Sequence, residues 1–235
     1  MHLTSVPLTA GILPRCVPLW ADRVGYSGCE FERAIGSARQ LLAESRARGH
    51  VILDGTCVRA FGMSTFADLP FIDRYLAAPY PQIGKRLLLD AHTPGMDVVL
   101  TMEGIARGNR EGGLQLVVVN LACDSTAAGG PAVCGRLLHA FLEGHRGHRI
   151  ERLVNEAFTP DAVLSMESAG LRILRRFDGS SSATGLSSVV GVMTREEAIA
   201  SKGRVAADVH VRTAASAPYP CRTALPVRRT RWKDR

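Results

Sequence analysis

Apolar positions along this chain change period several times, and each change marks an element. Phe31, Ala34, Ile35, Ala38, Leu41 and Leu42 recur every three or four residues, the spacing of one helical face. Ser27 followed by Glu30 is a capping-box pattern, so a helix is predicted over Glu30–Arg48, ended by Gly49. Val51–Leu53 and Thr56–Phe66 read as strands turned at Asp54-Gly55, a dipeptide that favours hairpins. Short helices follow over Pro70–Ala78 and Pro81–His92. The β-formers of Asp97–Ala106 predict a strand paired with Leu114–Leu121 across Gly108–Gly113.

The order then tightens. The strand Leu114–Leu121 leads through a Gly-rich loop, Ala127–Gly130, to a helix over Pro131–Gly144. A strand Ile150–Phe158, a helix Pro160–Gly170 and a strand Leu171–Phe177 come next. Past the Ser/Gly loop Asp178–Gly185, Leu186–Met193 predicts a strand antiparallel to the last, and Thr194 caps a short helix, Arg195–Ser201. The whole pattern predicts an α/β fold with a mixed central sheet flanked by helices. Residues 1–27 read as an irregular lead-in, 28–201 as one domain and 202–235 as a basic tail without helical or strand period.

Charge changes the picture at one place. The chain has a net charge of +7, and all of it lies in residues 202–235, with nine Lys or Arg and two Asp. The body is neutral, so any electrostatic case for nucleic acid rests on Arg228, Arg229, Arg231 and Lys233 around Trp232. The longest apolar runs are too short to span a membrane, and the first residues lack the basic start of a signal peptide. A cytoplasmic protein with no membrane partner is expected. The six cysteines show no CxxC spacing, so they are expected to be free thiols packed as small hydrophobes.

Candidate chemistry gathers after Leu114. A strand feeding a glycine loop and a helix N-terminus is an anion-binding arrangement. Gly129, Gly130, Gly135 and Arg136 are its candidate residues. Cys123 before that loop is expected to be a packed thiol, and Asn120 to bind a ligand amide or satisfy a strand bulge. Glu103 and Glu156, both read on strands facing a cleft, are candidate general bases. His139, His145 and His148 are read as a solvated helix end, not a metal site.

This element order, clearest over Asp97–Met193, resembles the GCN5-related N-acetyltransferase (GNAT) fold. In that family a loop of the form Q/R-x-x-G-x-G/A holds the pyrophosphate of acyl-coenzyme A at a helix N-terminus. The resemblance places Gly130 at the Q/R position, Val133 at the central glycine and Gly135 at the final small residue. Val133 brings a branched side chain where the family has glycine, and Pro131 removes one amide donor. Met166 takes the position of the family's tyrosine proton donor, and Leu171 that of a phenylalanine. A looser resemblance, through Phe61–Leu88 and Val190–Ala198, is to bacterial regulators in which a GNAT-like domain precedes a LuxR-type helix-turn-helix. The sequence pattern after Gly203 predicts no such helices.

The reading ranked first is therefore a regulatory or small-molecule-sensing domain of such a regulator, partnered by a small-molecule ligand and, indirectly, by DNA. The second is an active N-acyltransferase using acyl-coenzyme A. The third is a protein that binds nucleic acid weakly through its tail.

Overall fold

The computed structural model describes residues 3–20, 26–77, 82–95, 98–124, 130–178, 187–194 and 197; side chains at 130–132, 134–136, 139 and 161 lie outside that description. In chain order the elements are β1 (Leu3–Pro7), α1 (Leu13–Trp20), α2 (Gly28–Ala43), β2 (Ala47–Asp54) and β3 (Cys57–Ala67). Three helices follow: α3 (Leu69–Ala77), α4 (Ile83–Asp90) and α5 (Met102–Glu111). Then come β4 (Leu114–Cys123), α6 (Gly130–Gly144), β5 (Ile150–Ala157), α7 (Pro160–Ser168), β6 (Arg172–Phe177) and β7 (Ser188–Thr194).

Among the described residues the strands form one seven-stranded sheet, β1-β2-β3-β4-β5-β7-β6. Every neighbouring pair is antiparallel except β4 with β5. A parallel pair needs a crossover, and α6 supplies it. One apolar core joins α1–α4 to one sheet face, and a second joins α5–α7 to the other. The mixed, helix-flanked sheet expected from the sequence is present. No helix among the described residues is long and apolar enough to cross a membrane.

Five local expectations are corrected. Residues 1–27 contribute β1, which pairs with β2 from Leu3↔Asp54 to Pro7↔His50, and α1. Leu13, Cys16 and Trp20 of α1 are buried at helical spacing. Pro14 falls in the first turn, where a missing N–H costs nothing, while Pro18 lies inside the helix.

The helix predicted through Arg48 stops at Ala43. Ser45 takes a left-handed φ of 59°, and Arg46 N–H reaches back to the Leu41 carbonyl at 2.9 Å. This is a Schellman-type stop with serine in the place usually held by glycine. Arg46 also donates to the carbonyls of Val99 and Leu100 at 2.6 and 3.2 Å, turning the chain into β2.

From Met102 onward the strand predicted over Asp97–Ala106 is instead the helix α5. Thr101 caps it, accepting from Gly104 N–H at 3.1 Å. Among the described residues strand character survives there only as a bridge between Val99 and Ala67. Gly108 lets α5 close onto β4, since a Cβ there would come 2.4 Å from a Leu114 methyl.

His145 and His148 are not a solvated helix end, and the His139 side chain lies outside the described residues. His145 is only 3% exposed and its Nε2 lies 3.3 Å from Ser64 Oγ. Phe66 packs against both His145 and His148, with ring centres at 4.8 and 5.0 Å. Burial, with smaller contributions from Arg48, His148 and His50, pushes the His145 imidazole down to about 3. The cysteines divide: Cys16 and Cys29 are free, whereas Cys57 and Cys123 are disulfide-bonded.

At the strand ends nearest the glycine loop, buried Arg59 bridges Asp54 and Asp124 at 3.3 and 3.1 Å. It ties the β2–β3 turn to the residue that follows β4. On the other side of the loop α6 begins at Gly130, one residue before the predicted start.

Two stability experiments follow from this packing. A Cβ at Gly84 would come 2.1 Å from the Val119 carbonyl oxygen, whereas one at Gly36 meets nothing within 4 Å. Gly84→Ala should lower unfolding free energy by about 1–3 kcal/mol, while Gly36→Ala on exposed α2 should raise it by up to about 1 kcal/mol. Urea titration of both variants checks the pair. His145 is neutral when folded but ionises near 6.5 when unfolded, so between pH 6.5 and 3 the unfolded chain binds the extra proton and stability falls with falling pH. His145→Phe should flatten that fall, measured as unfolding free energy at pH 7, 5 and 4.

Candidate functional site

The site begins where one strand pair stops. β4 and β5 pair from Leu114↔Ile150 only as far as Val117↔Val154. Beyond those residues β4 stays on β3 through Cys123, and β5 stays on β7 through Ala157. The two central strands therefore part while each keeps its outer neighbour. That leaves an opening in the middle of the sheet.

A bulge lies on the β4 side of the opening. Val118 pairs with Ser64 and Asn120 with Met63, so Val119 is the extra residue. Such a bulge turns two successive side chains onto one face. Met63, Val119 and Ala122 belong to the core beneath α1–α4, and Asn120, opposite Met63, shares their face. Asn120 is 8% exposed, and its Nδ2 has no hydrogen-bond partner among the described residues.

Glu156 lies on the β5 side and on the same face, opposite Val190 of that core. Its carboxylate accepts the backbone N–H groups of Gln82 and Ile83 at 3.1 and 2.7 Å, and the Ser188 hydroxyl. It thereby caps the N-terminus of α4 from a different element, a placement helices favour for negative charge. Gln82 takes a left-handed φ of 36° to enter this cap. Although the residue keeps some exposed surface, its carboxylate is enclosed. Burial drives its pKa up to about 7, and the three hydrogen bonds restrain the rise without reversing it.

Two tyrosines feel that carboxylate. Tyr26 packs against Trp20 and Phe31 with ring centres at 6.2 and 5.7 Å, beneath Lys85 Nζ at 5.3 Å. Burial, then Glu30 and Glu156, push its hydroxyl far above the usual range. Burial lifts Tyr75 of α3 to about 12, with Glu156 a smaller contributor. Lys85 pairs with Glu30 at 2.9 Å, and the Ser27 N–H and Lys85 hold Glu30 down at about 2. Arg175 of β6 donates to the Leu76 carbonyl, tying the last hairpin to α3.

The sequence candidates are sorted by this geometry. Glu156 is on a strand at the opening. Glu103 is not: it is exposed in the first turn of α5, on the helix where a strand was expected. Val133 is 7% exposed in the α6 core, lining a small apolar pocket of about 220 Å³ with Ile52 and Leu137. Its side chain belongs to the core beneath α6. Met166 is fully buried and packs on Gly191, where a Cβ would lie 3.3 Å from its sulfur.

Gly130, Gly135 and Arg136 fall on α6, but their side chains, like Gly129 itself, lie outside the described residues. Arg228, Arg229, Arg231 and Lys233 lie outside them too. Thr194 and Glu197 exchange capping hydrogen bonds at 2.6 and 3.2 Å, as Thr194 was expected to begin a helix. Sequence reasoning missed Tyr26, Tyr75 and the Gln82–Ile83 amides. A proline-bracketed helix start at 79–83 was the one available signal, and it did not point to Glu156.

The sequence matches no protein-family model and no curated protein. The fold does have relatives among solved structures. An agmatine N-acetyltransferase mutant in its apo form superposes with a TM-score of 0.52 at 12% identity, covering 83% of this chain and 100% of the other. Arabidopsis thaliana NAA60 in complex with acetyl-CoA gives 0.52 at 12% identity over 83% and 99%. The aminoglycoside N(6')acetyltransferase of Legionella pneumophila gives 0.50 at 10% identity over 86% and 98%. Likenesses at this identity establish fold alone: the chain has the mixed seven-stranded architecture of the GNAT acetyltransferases.

Proposed function

We propose that this protein transfers an acyl group from acyl-coenzyme A to an amine, with Glu156 as general base. The observation that carries the reading is the opened β4–β5 seam, which has an enclosed carboxylate titrating near 7 on one side and a bulge on the other. The fold relatives include an acetyltransferase in complex with acetyl-CoA, and the opening suits an extended, amide-bearing arm. The unpartnered Asn120 amide is a polar group of the kind such a ligand satisfies. Acyl-coenzyme A would supply a thioester carbonyl as the electrophile.

Glu156 is suited to its role by number as well as by pKa. A carboxylate offers about four acceptor positions. Gln82, Ile83 and Ser188 fill three, so one is left for an amine N–H. A base titrating near the working pH combines the deprotonated form with useful basicity. Glu156 would take the proton shed by the amine nitrogen as the new C–N bond forms and the C–S bond breaks. Met166 is sealed in the core and has no proton to give, so the departing sulfur draws its proton from solvent. Gly129, Gly130, Gly135 and Arg136 are the residues proposed to hold the phosphates at the start of α6.

The regulatory reading rests on the LuxR resemblance, and no observation of the site favours it over acyl transfer. Its DNA-facing segment would be the tail, which lies outside the described residues.

Acetyl-coenzyme A should bind with micromolar affinity in calorimetry, and thiol release should rise when primary amines such as agmatine or a peptide N-terminus are added. Glu156→Gln should lower kcat by roughly 10²–10⁴-fold and leave acetyl-coenzyme A affinity within a few-fold. The wild-type rate should climb through pH 7 with a single ionisation that the variant lacks. No binding heat would sink the proposal.

Glu156 also predicts a stability signature. Its folded carboxyl holds its proton to about 7 against 4.5 unfolded, so the folded state binds more protons in that window and stability falls as pH rises. His145 has the opposite slope where the two windows overlap, between pH 4.5 and 6.5. The two are separated by comparing Glu156→Gln with wild type in urea titrations at pH 4.5 and 7.5, where the variant should lose the decline due to Glu156.

A further inference from the structure

A buried amide N–H without a partner is unfavourable, because water would have satisfied it in the unfolded chain. Asn120 carries such a group at the one place where the sheet opens. Its residue is 8% exposed and its Nδ2 is unpartnered. Its neighbours along the strand are aliphatic: Val117, Val118, Val119, Leu121 and Ala122. An apolar residue of similar volume would fill the position without the desolvation cost.

The bulge gives the amide its direction. Because Val119 is extra, Asn120 lies opposite Met63 and falls on the face shared with Val119, Ala122 and Val190. Without the bulge, alternation would turn it toward α6. Glu156 occupies that same face on the far strand, opposite Val190. The β4–β5 pairing has already ended at Val117↔Val154, so both side chains lie beyond the last hydrogen bond between the two strands. One is a donor with no acceptor, and the other is a base. They flank the gap through which an acyl carbonyl must be presented to an amine.

We infer that Asn120 Nδ2 donates a hydrogen bond to the acyl carbonyl oxygen and is a further catalytic residue. The inference rests on the acyl-transfer reading. Negative charge grows on that oxygen as the amine nitrogen bonds to the carbonyl carbon. It is relieved when the C–S bond breaks and the carbonyl re-forms. Asn120 moves no proton in this step. It holds the oxygen while Glu156 takes the proton from nitrogen. A preorganised neutral donor in an enclosed site is effective because it need not reorient when the charge appears.

The test compares acetyl-coenzyme A with free coenzyme A, which lacks the carbonyl, by calorimetry on wild type and Asn120→Ala. Wild type should bind the acetylated form several-fold more tightly. Asn120→Ala should bring the two affinities to within about twofold and leave free coenzyme A unchanged. It should also lower kcat by roughly 10²–10³-fold, with the KM for acetyl-coenzyme A rising by no more than the several-fold lost in affinity. In the unliganded protein Asn120→Leu should unfold at an equal or higher urea concentration than wild type, since it removes an unsatisfied donor. A purely structural asparagine would show the reverse: a lower urea midpoint, with discrimination and kcat retained in Asn120→Ala. That result overturns the role of Asn120 alone. If wild type binds neither form, the acyl-transfer reading fails and this inference fails with it. Should Asn120→Ala not fold, Asn120→Ser takes its place in the same comparison.

Discussion

The parallel seam between β4 and β5 is the constraint on which the site depends. Buried backbone groups must be paired, so two central strands can separate only if each is held from its other side. β4 remains on β3 to its last residue and β5 remains on β7 to its own. The opening is thus framed by two intact antiparallel ladders. Arg59, Asp54 and Asp124 pin the strand ends on the β4 side, and α4 closes the top of the β5 side through Glu156. Gly84 allows that closure, because only a residue without Cβ lets α4 rest on the Val119 carbonyl.

Two glutamates on neighbouring elements show how environment assigns roles. Glu30 is solvated, accepts the Ser27 N–H and pairs with Lys85, so its carboxyl is held down at about 2. Glu156 also accepts hydrogen bonds, but burial outweighs them and its carboxyl rises to about 7. The same side chain is a permanent charge in one place and a proton acceptor near neutrality in the other. Burial acts with the opposite sign on His145, which it keeps neutral and therefore packs against Phe66 as part of the core.

Much of the architecture was legible where local signals agreed. The Asp54-Gly55 turn, the Ser27–Glu30 box, the Pro160 start of α7 and the run from Leu114 to Phe177 all combined a period with a cap or turn residue. The readings that failed had one signal missing or misleading. α2 ends on a left-handed serine, and no glycine marks the stop. α5 was hidden by a run of β-formers, of which Val98–Leu100 serve as core-filling loop. β1 is an edge strand of five residues, and α1 carries two prolines that mask its buried face. HAFLEGHRGH reads as polar, yet its second histidine is enclosed by β2 and β3, which lie far away in sequence.

By itself the sequence determined the order and nature of most elements, hence the mixed sheet and its glycine-loop crossover, because periodicity and capping are local properties of the chain. It also supplied Glu156 and Asn120 as polar residues on strands. Only the tertiary structure decided what those residues face. Strand register, a single bulge at Val119 and the point where two strands part are set by contacts between segments distant in sequence. Those contacts put Asn120 and Glu156 on one sheet face where the strands part, enclose the glutamate's carboxylate, and leave Glu103 in solvent, Val133 in the α6 core and Met166 beneath Gly191.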